Sequence, residues 1–361
     1  MTILSWKPLI HPIQVISTIF GMSMNSLLIL LILYRSPQNL GVYKFLMIYI
    51  SVFELFFGVM ELMAVPDLWT QGSVFIVITD PGTSMLPGVL LQPANLLYCG
   101  SFALSLGIFG VQFVYRYQVF QGNSSWTENR PRNIILWMGS PLIFSGIWAT
   151  ACAVFLGRNQ YTNDMLRTDI LHYYNNVSID DIGVTCVYFY PKLSSGEEVV
   201  NWSSFIGMAI TTVVLLTTKS IMLFSGVQCY LSIKKLMGVT ATNQSKSFRQ
   251  IQWQLFYALV SQTFIPIIFM QFPISILYIS VFANRSTEFF GILQSLTISL
   301  YLATDALPTM FIIKSYREAV FDFFHNVKTL YCSCCISKTS EAPTESNTLQ
   351  VAVSGQMTSS C

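Results

Sequence analysis

Residues 12–34 read PIQVISTIFGMSMNSLLILLILY, an apolar run with no charge between His11 and Arg35. A helix needs about 20 such residues to cross ~30 Å of hydrocarbon, and this run supplies them. It is too long for the core of a cleavable signal, so the expectation is an uncleaved first span. Six further runs of the same kind stand at 45–65, 89–115, 133–155, 203–231, 253–282 and 289–313. Pro266, Pro273 and Pro308 lie inside the last two. They read as kinks, because neighbouring helices in a membrane re-satisfy the carbonyl that a proline frees. The expected fold is an all-α membrane protein, a seven-transmembrane helix bundle over 12–315. Segment 1–11 is expected outside, an amphipathic juxtamembrane helix at 316–330, and a disordered cytoplasmic tail at 331–361.

Composition agrees. Of 361 residues, 53% are hydrophobic and only 10% charged, with mean hydropathy +0.56, whereas a soluble domain carries roughly 25% charged residues. A net charge of +2 argues against a nucleic-acid partner, which requires a clustered basic face. Lys and Arg in the connections set orientation. With the N-terminus outside, the inner segments hold Arg35, Lys44, Arg116, Arg130, Arg132, Lys234, Lys235, Lys246, Arg249, Lys314, Arg317, Lys328 and Lys338, against Lys7, Arg158, Arg167, Lys192 and Arg285 outside. The glycosylation sequons at Asn176, Asn201 and Asn284 then fall outside, with Asn176 farthest from the membrane. Those at Asn123 and Asn243 fall inside, out of reach of that machinery.

A receptor, a transporter and a ligand-gated channel all fit seven spans. No repeat of the kind that marks secondary transporters is visible, and the Lys/Arg bias opposes a channel with an inner N-terminus. Gly41-Val42-Tyr43-Lys44-Phe45-Leu46-Met47 leads to Glu54 in the second span, and Phe113-Val114-Tyr115-Arg116-Tyr117 closes the third. Gln262-Thr263-Phe264-Ile265-Pro266 stands in the sixth, and Asp305-Ala306-Leu307-Pro308-Thr309 in the seventh, with Tyr316-Arg317 behind it. This ordered set resembles the nematode seven-transmembrane chemoreceptors of the Str class, to about residue 325. The resemblance implies an odorant-type receptor for a small chemical ligand, working through a heterotrimeric G protein in the ciliary plasma membrane of sensory neurons. The alternative is a seven-span ligand-gated cation channel or small-solute transporter. The broader rhodopsin-like pattern is matched only in part: Tyr115 replaces the acid before Arg116, and Asp305 stands where that pattern has asparagine.

Charges within spans face the bundle interior or a watery cavity by default, which singles out Glu54, Glu61, Lys219 and Asp305. Asn25, Glu54 and Asp305 fall at similar depth and are expected to form one polar switch cluster, the alternative being a static staple. Two like charges this close would not both ionise. Tyr115, Arg116 and Tyr117 form the expected cytoplasmic switch, with a plain topology anchor as the alternative reading of Arg116. The ligand site is sketched from Glu61, Tyr98, Phe102, Phe269, Phe272, Gln294 and Tyr301, any of which can equally be helix packing. Lys219 either pairs with a carboxyl or snorkels.

Cys99 and Cys186 are the pair placed to form a disulfide between the third helix and the second outer loop, although Cys99 lies ~12 Å deeper than the rhodopsin-like cysteine does. Cys332, Cys334 and Cys335 are expected palmitoylation sites behind the amphipathic helix. The histidines His11, His172 and His325 are scattered, so neither a metal site nor a catalytic triad is supported and no cofactor is expected.

Overall fold

Seven helices long and apolar enough to cross a membrane run through the computed structural model, which describes residues 3–36, 42–167, 178–192, 196–238, 246–323 and 325. The Asn176 sequon and Cys332, Cys334 and Cys335 lie outside the described residues. In chain order the elements are α1 (Ile3–Arg35), α2 (Tyr43–Ala64), β1 (Asp67–Gln71), β2 (Val74–Thr79), α3 (Gly88–Phe120) and the single turn α4 (Ser124–Thr127). They continue with α5 (Pro131–Phe155), α6 (Gln160–Met165), β3 (Gly183–Tyr188), α7 (Trp202–Gly238), α8 (Lys246–Pro266), α9 (Phe272–Phe282), α10 (Glu288–Thr304) and α11 (Ala306–Ile312). The chain turns at Ile313 and resumes as helix over 314–323.

Burial ranks the spans. The most apolar stretch of α3 is 78% buried, that of α5 only 17%, so α3 is the central post and α5 a peripheral one. The outward faces carry exposed Ile, Leu, Val and Phe, such as Ile16, Leu30, Ile135, Ile143 and Leu223. That belt is what a bilayer solvates and water does not. The sixth span is α8 and α9 joined by a π-turn, Ile267–Gln271, between Pro266 and Pro273. A π-turn carries an extra residue and commonly marks a functional break. The seventh span breaks at Asp305, between α10 and α11.

One end of the bundle carries a feature the run lengths did not announce: a three-stranded antiparallel sheet in the order β1-β2-β3. β1 and β2 form a hairpin in which Gln71 faces Val74 across Gly72 and Ser73. Gly72 has φ +57°, the left-handed value that a two-residue hairpin turn requires. Strand alternation gives the sheet two buried faces. Leu68, Phe75, Val77 and Val187 face the helix core, while Trp69, Ile76, Val184 and Cys186 pack under Met165, Leu166, Ile179 and Ile182.

Both edges are seated on helices. A Cβ on Gly183 would come within 2.3 Å of the Leu91 carbonyl of α3, and one on Gly291 within 2.3 Å of the Leu68 carbonyl. Only glycine permits either approach.

Candidate functional site

Three polar or hollow regions line α3 from the sheet end to the opposite end. The first is a hollow of about 60 Å³ directly beneath the sheet. Phe57, Phe75, Tyr98, Phe102, Trp148 and Tyr278 give it an aromatic wall, and aliphatic side chains line it together with Cys99, Cys152, Thr185, Thr211 and Gln294. It has room for about four waters. Gln294 is fully buried, and neither its amide nitrogen nor its oxygen has a partner. A buried amide left unpaired costs a few kcal/mol, so this side chain is poised for a group that can both accept and donate.

The sheet is tied down over this hollow by two amides of α3. Gln92 Nε2 donates to the Val184 carbonyl at 3.0 Å, and its Oε1 accepts from the Val184 N–H at 2.7 Å, completing the free edge of β3 as another strand would. Asn95 Nδ2 donates to the Val77 carbonyl at 3.0 Å and to Thr79 Oγ1 at 3.1 Å, while Thr185 Oγ1 donates to Asn95 Oδ1 at 2.6 Å. On the far edge Thr70 Oγ1 donates to the Thr287 carbonyl at 2.5 Å, next to a bridge between Gly72 and Ser286.

Deeper lie two hydrogen-bonded chains rather than one cluster. In the first, the Tyr301 hydroxyl donates to Glu54 and lies 2.8 Å from Ser105 Oγ, joining α2, α3 and α10. In the second, Gln262 Nε2 donates to Asp305 Oδ2 at 2.9 Å and Thr309 Oγ1 donates to Gln262 Oε1 at 3.1 Å, joining α8 to the break in the seventh span. Glu54 and Asp305 are close enough to interact electrostatically. Asn25 hydrogen-bonds to neither: its Nδ2 donates to the Gly21 carbonyl of its own helix at 3.2 Å, and its Oδ1 is unpaired.

At the opposite end Arg116 is buried, not spread toward headgroups. Its Nη1 donates to Gln252 Oε1 of α8 at 2.8 Å, and its guanidinium lies 3.7 Å from the centre of the Tyr43 ring. Tyr43 stacks on Tyr115, which meets Trp137 edge-on, and Tyr117 meets Phe224 of α7 edge-on. Arg116 thus joins α3 to α2 and α8. Nearby, Tyr316 and Ser36 hydroxyls are 2.6 Å apart.

The family profile described as serpentine type 7TM GPCR chemoreceptor Str matches residues 10–321. The chain belongs to the Str family of serpentine receptors. It is 31% identical over 299 residues to the G-protein coupled receptor str-217 of Caenorhabditis elegans, covering 83% of this chain and 85% of that protein. It is 26% identical over 319 residues to serpentine receptor class r-10 of the same species, covering 88% and 91%. Identity to the C. elegans G-protein coupled receptor str-33 is 28% over 305 residues. The Str chain is accordingly a multi-pass membrane receptor of the G-protein-coupled type, and serpentine receptors are not enzymes.

Within this Str receptor the expected ligand residues divide. Tyr98, Phe102 and Gln294 line the hollow. Glu61 stands one hydrogen bond behind its wall, accepting from the Tyr98 hydroxyl. Tyr301 is displaced from the ligand set, because its hydroxyl is committed to Glu54 and Ser105 one layer deeper. Phe269 packs against the core without reaching the hollow. Phe272 is 64% exposed on the outer surface of the bundle, since the π-turn just before it re-aims the start of α9.

Two further expectations need correction. Cys99 and Cys186 are free thiols. Strand alternation turns Cys186 to the far face of the sheet, whereas Cys99 faces the hollow beside Cys152. Burial pushes the Cys186 thiol up to about 12. The tie expected from a disulfide is supplied by Gln92 and Asn95. Asn201 is buried, its Nδ2 donating to Ser204 Oγ at 3.0 Å where α7 begins, so the nitrogen a glycan would need is enclosed. Asn284 is exposed in a left-handed turn at φ 55°.

Gln92, Asn95, Ser105, Gln252 and Gln294 carry much of this architecture. Gln294 aside, none stands among the residues that the sequence alone singles out. Their signal was present: Asn95, Ser105, Gln112 and Arg116 are polar residues in an otherwise apolar span, and all are buried.

Proposed function

We propose that this receptor detects a small, mostly apolar, uncharged chemical in the hollow beneath the sheet and passes the signal to a heterotrimeric G protein at the arginine end. The observation that carries this reading is Gln294, an unpaired amide in a chamber walled mostly by aromatic and aliphatic side chains. Ligand sites are typically apolar with a few placed polar groups, and no carboxylate or ammonium lines this one. An anionic ligand would enter without a counter-ion and meet the negative faces of the rings.

The Lys/Arg bias supports an orientation with the sheet end outside and the arginine end in the cytoplasm. Family membership supports chemosensory neurons as the site of action and odorant-type chemicals as the stimulus. The exposed Asn284 is the remaining described acceptor for a glycan. The Tyr301–Glu54 and Gln262–Asp305 chains sit between hollow and arginine, and both involve the seventh span. They are the relay in this reading, and the Arg116–Gln252 bond holds the resting state.

The test is expression with calcium and cyclic-nucleotide reporters, screening volatile and water-soluble compounds. The expected result is a G-protein-dependent response, with ligand-free signal raised about tenfold in Gln252→Leu by loss of a charge-assisted bond. A ligand-gated current that survives complete G-protein block would overturn the reading in favour of a channel.

A further inference from the structure

A second hollow lies between α7 and the sixth span, and it shares no lining residue with the aromatic chamber beneath the sheet. α7 packs against α8 but scarcely meets α9, apart from Phe205 and Phe282 at the sheet end, whose rings are 6.1 Å apart. The gap is a cleft of about 680 Å³ that opens sideways, with the exposed side chains of Leu223, Phe264 and Phe272 at its rim.

Two polar groups interrupt its apolar walls. Lys219 reaches it from α7 and has no hydrogen bond or ion pair with any described residue. Gln271, in the π-turn, is 3% exposed and its Nε2 has no partner. Both are donors: Gln271 Nε2 is buried without an acceptor, which is costly, and the half-buried Lys219 presents an ammonium to the same cleft. Together they call for one compact acceptor carrying negative charge, with the remainder of the cleft left for hydrocarbon.

Depth selects among the anionic amphiphiles. Lys219 is 17 residues from Trp202 and 16 from Lys235, the two ends of its span, hence ~24–26 Å from either end. A phospholipid keeps its headgroup at the interface, ~15 Å from the bilayer centre, and cannot bring a phosphate to this level. A single-chain acid can, because its protonated form is uncharged and dissolves in hydrocarbon.

We propose that the cleft binds a lipophilic monocarboxylate of the free fatty acid class, entering sideways from the bilayer. Its carboxylate accepts from Lys219 Nζ and Gln271 Nε2, and its chain lies along α7 and α8.

The experiment uses the full chain in phosphatidylcholine nanodiscs, irradiated with a diazirine analogue of palmitic acid and mapped by peptide mass spectrometry. Labelling is expected on peptides from α7 and from α8–α9, with palmitate competing and hexadecanol failing to compete. Lys219→Gln should lower labelling about tenfold and Gln271→Leu about fivefold, while Lys219→Arg, which keeps the charge, retains it. Each variant is compared at matched thermal stability. Label outside these spans, equal competition by hexadecanol, or undiminished labelling of Lys219→Gln would overturn the proposal. Phosphatidic acid competing as well as palmitate would overturn it in favour of a headgroup phosphate.

Discussion

The hollow under the sheet and the cleft beside Lys219 are about 60 and 680 Å³, and they differ in more than size. The first is roofed by hydrogen-bonded backbone, walled by rings and offered one neutral amide. The second has no roof, opens through exposed Leu and Phe, and is offered an ammonium. A roofed site selects by shape and by one matched hydrogen bond. An open, charged site selects by partition into the membrane and by charge. α3, α7 and α9 contribute to both, but α2, α5 and α10 close the first while α8 stands across the second.

The largest expected effect comes from removing the roof's fastening. Asn95→Leu keeps the volume but strands the Thr79 and Thr185 hydroxyls and takes the second donor from the Val77 carbonyl, at a cost of about 3 kcal/mol. The loss should appear as a lower melting temperature of the purified receptor, with ligand responses lost and fatty-acid labelling at Lys219 unchanged. If the labelling fell as well, the two hollows would be one coupled structure and the contrast between them would fail.

A smaller effect separates the chemistries. Gln294→Leu should weaken the response to an agonist bearing a hydroxyl or carbonyl about tenfold, and leave a pure hydrocarbon agonist within twofold. Equal losses for both would mean the amide shapes the chamber instead of reading a polar group. The smallest is an expected absence of reaction. With Cys186 pushed up to about 12 by burial, only about one thiol in 10⁴ is ionised at pH 8, because a raised pKa favours the neutral form below it. Iodoacetamide should leave Cys186 unmodified in the native receptor and alkylate it once unfolded. Rapid native labelling would show a sheet that opens readily.

The sequence made the bundle readable because crossing hydrocarbon demands long uncharged runs, and that constraint is indifferent to detail. It placed Glu54 and Asp305 inside the protein for the same reason: lipid excludes them. It left Arg116 at the inner boundary of the third span, where the structure buries it. It offered no such warning of the sheet. Val74–Thr79 is a run of β-branched and aromatic residues behind a Gly-Ser turn, which is a strand signal. In a chain of apolar runs, however, a short one between spans reads as connection.

Nor did depth along separate helices show which polar groups would meet. Asn25, Glu54 and Asp305 are expected at one level from spacing, yet Tyr301 and Gln262 divide the carboxylates between two chains, and Asn25 bonds back to its own helix. Phe272 was misplaced by one π-turn, a backbone irregularity that residue spacing assumes away.

The clamp of Gln92 on β3 carries a consequence for where this receptor can be made and work. A cap fixed by sulfur must be assembled in an oxidising compartment, and a reductant can release it. A cap fixed by an amide reaching both backbone groups of Val184 forms as the chain packs. Its seating is indifferent to thiol poise, so dithiothreitol should leave it in place while competing amides such as urea loosen it.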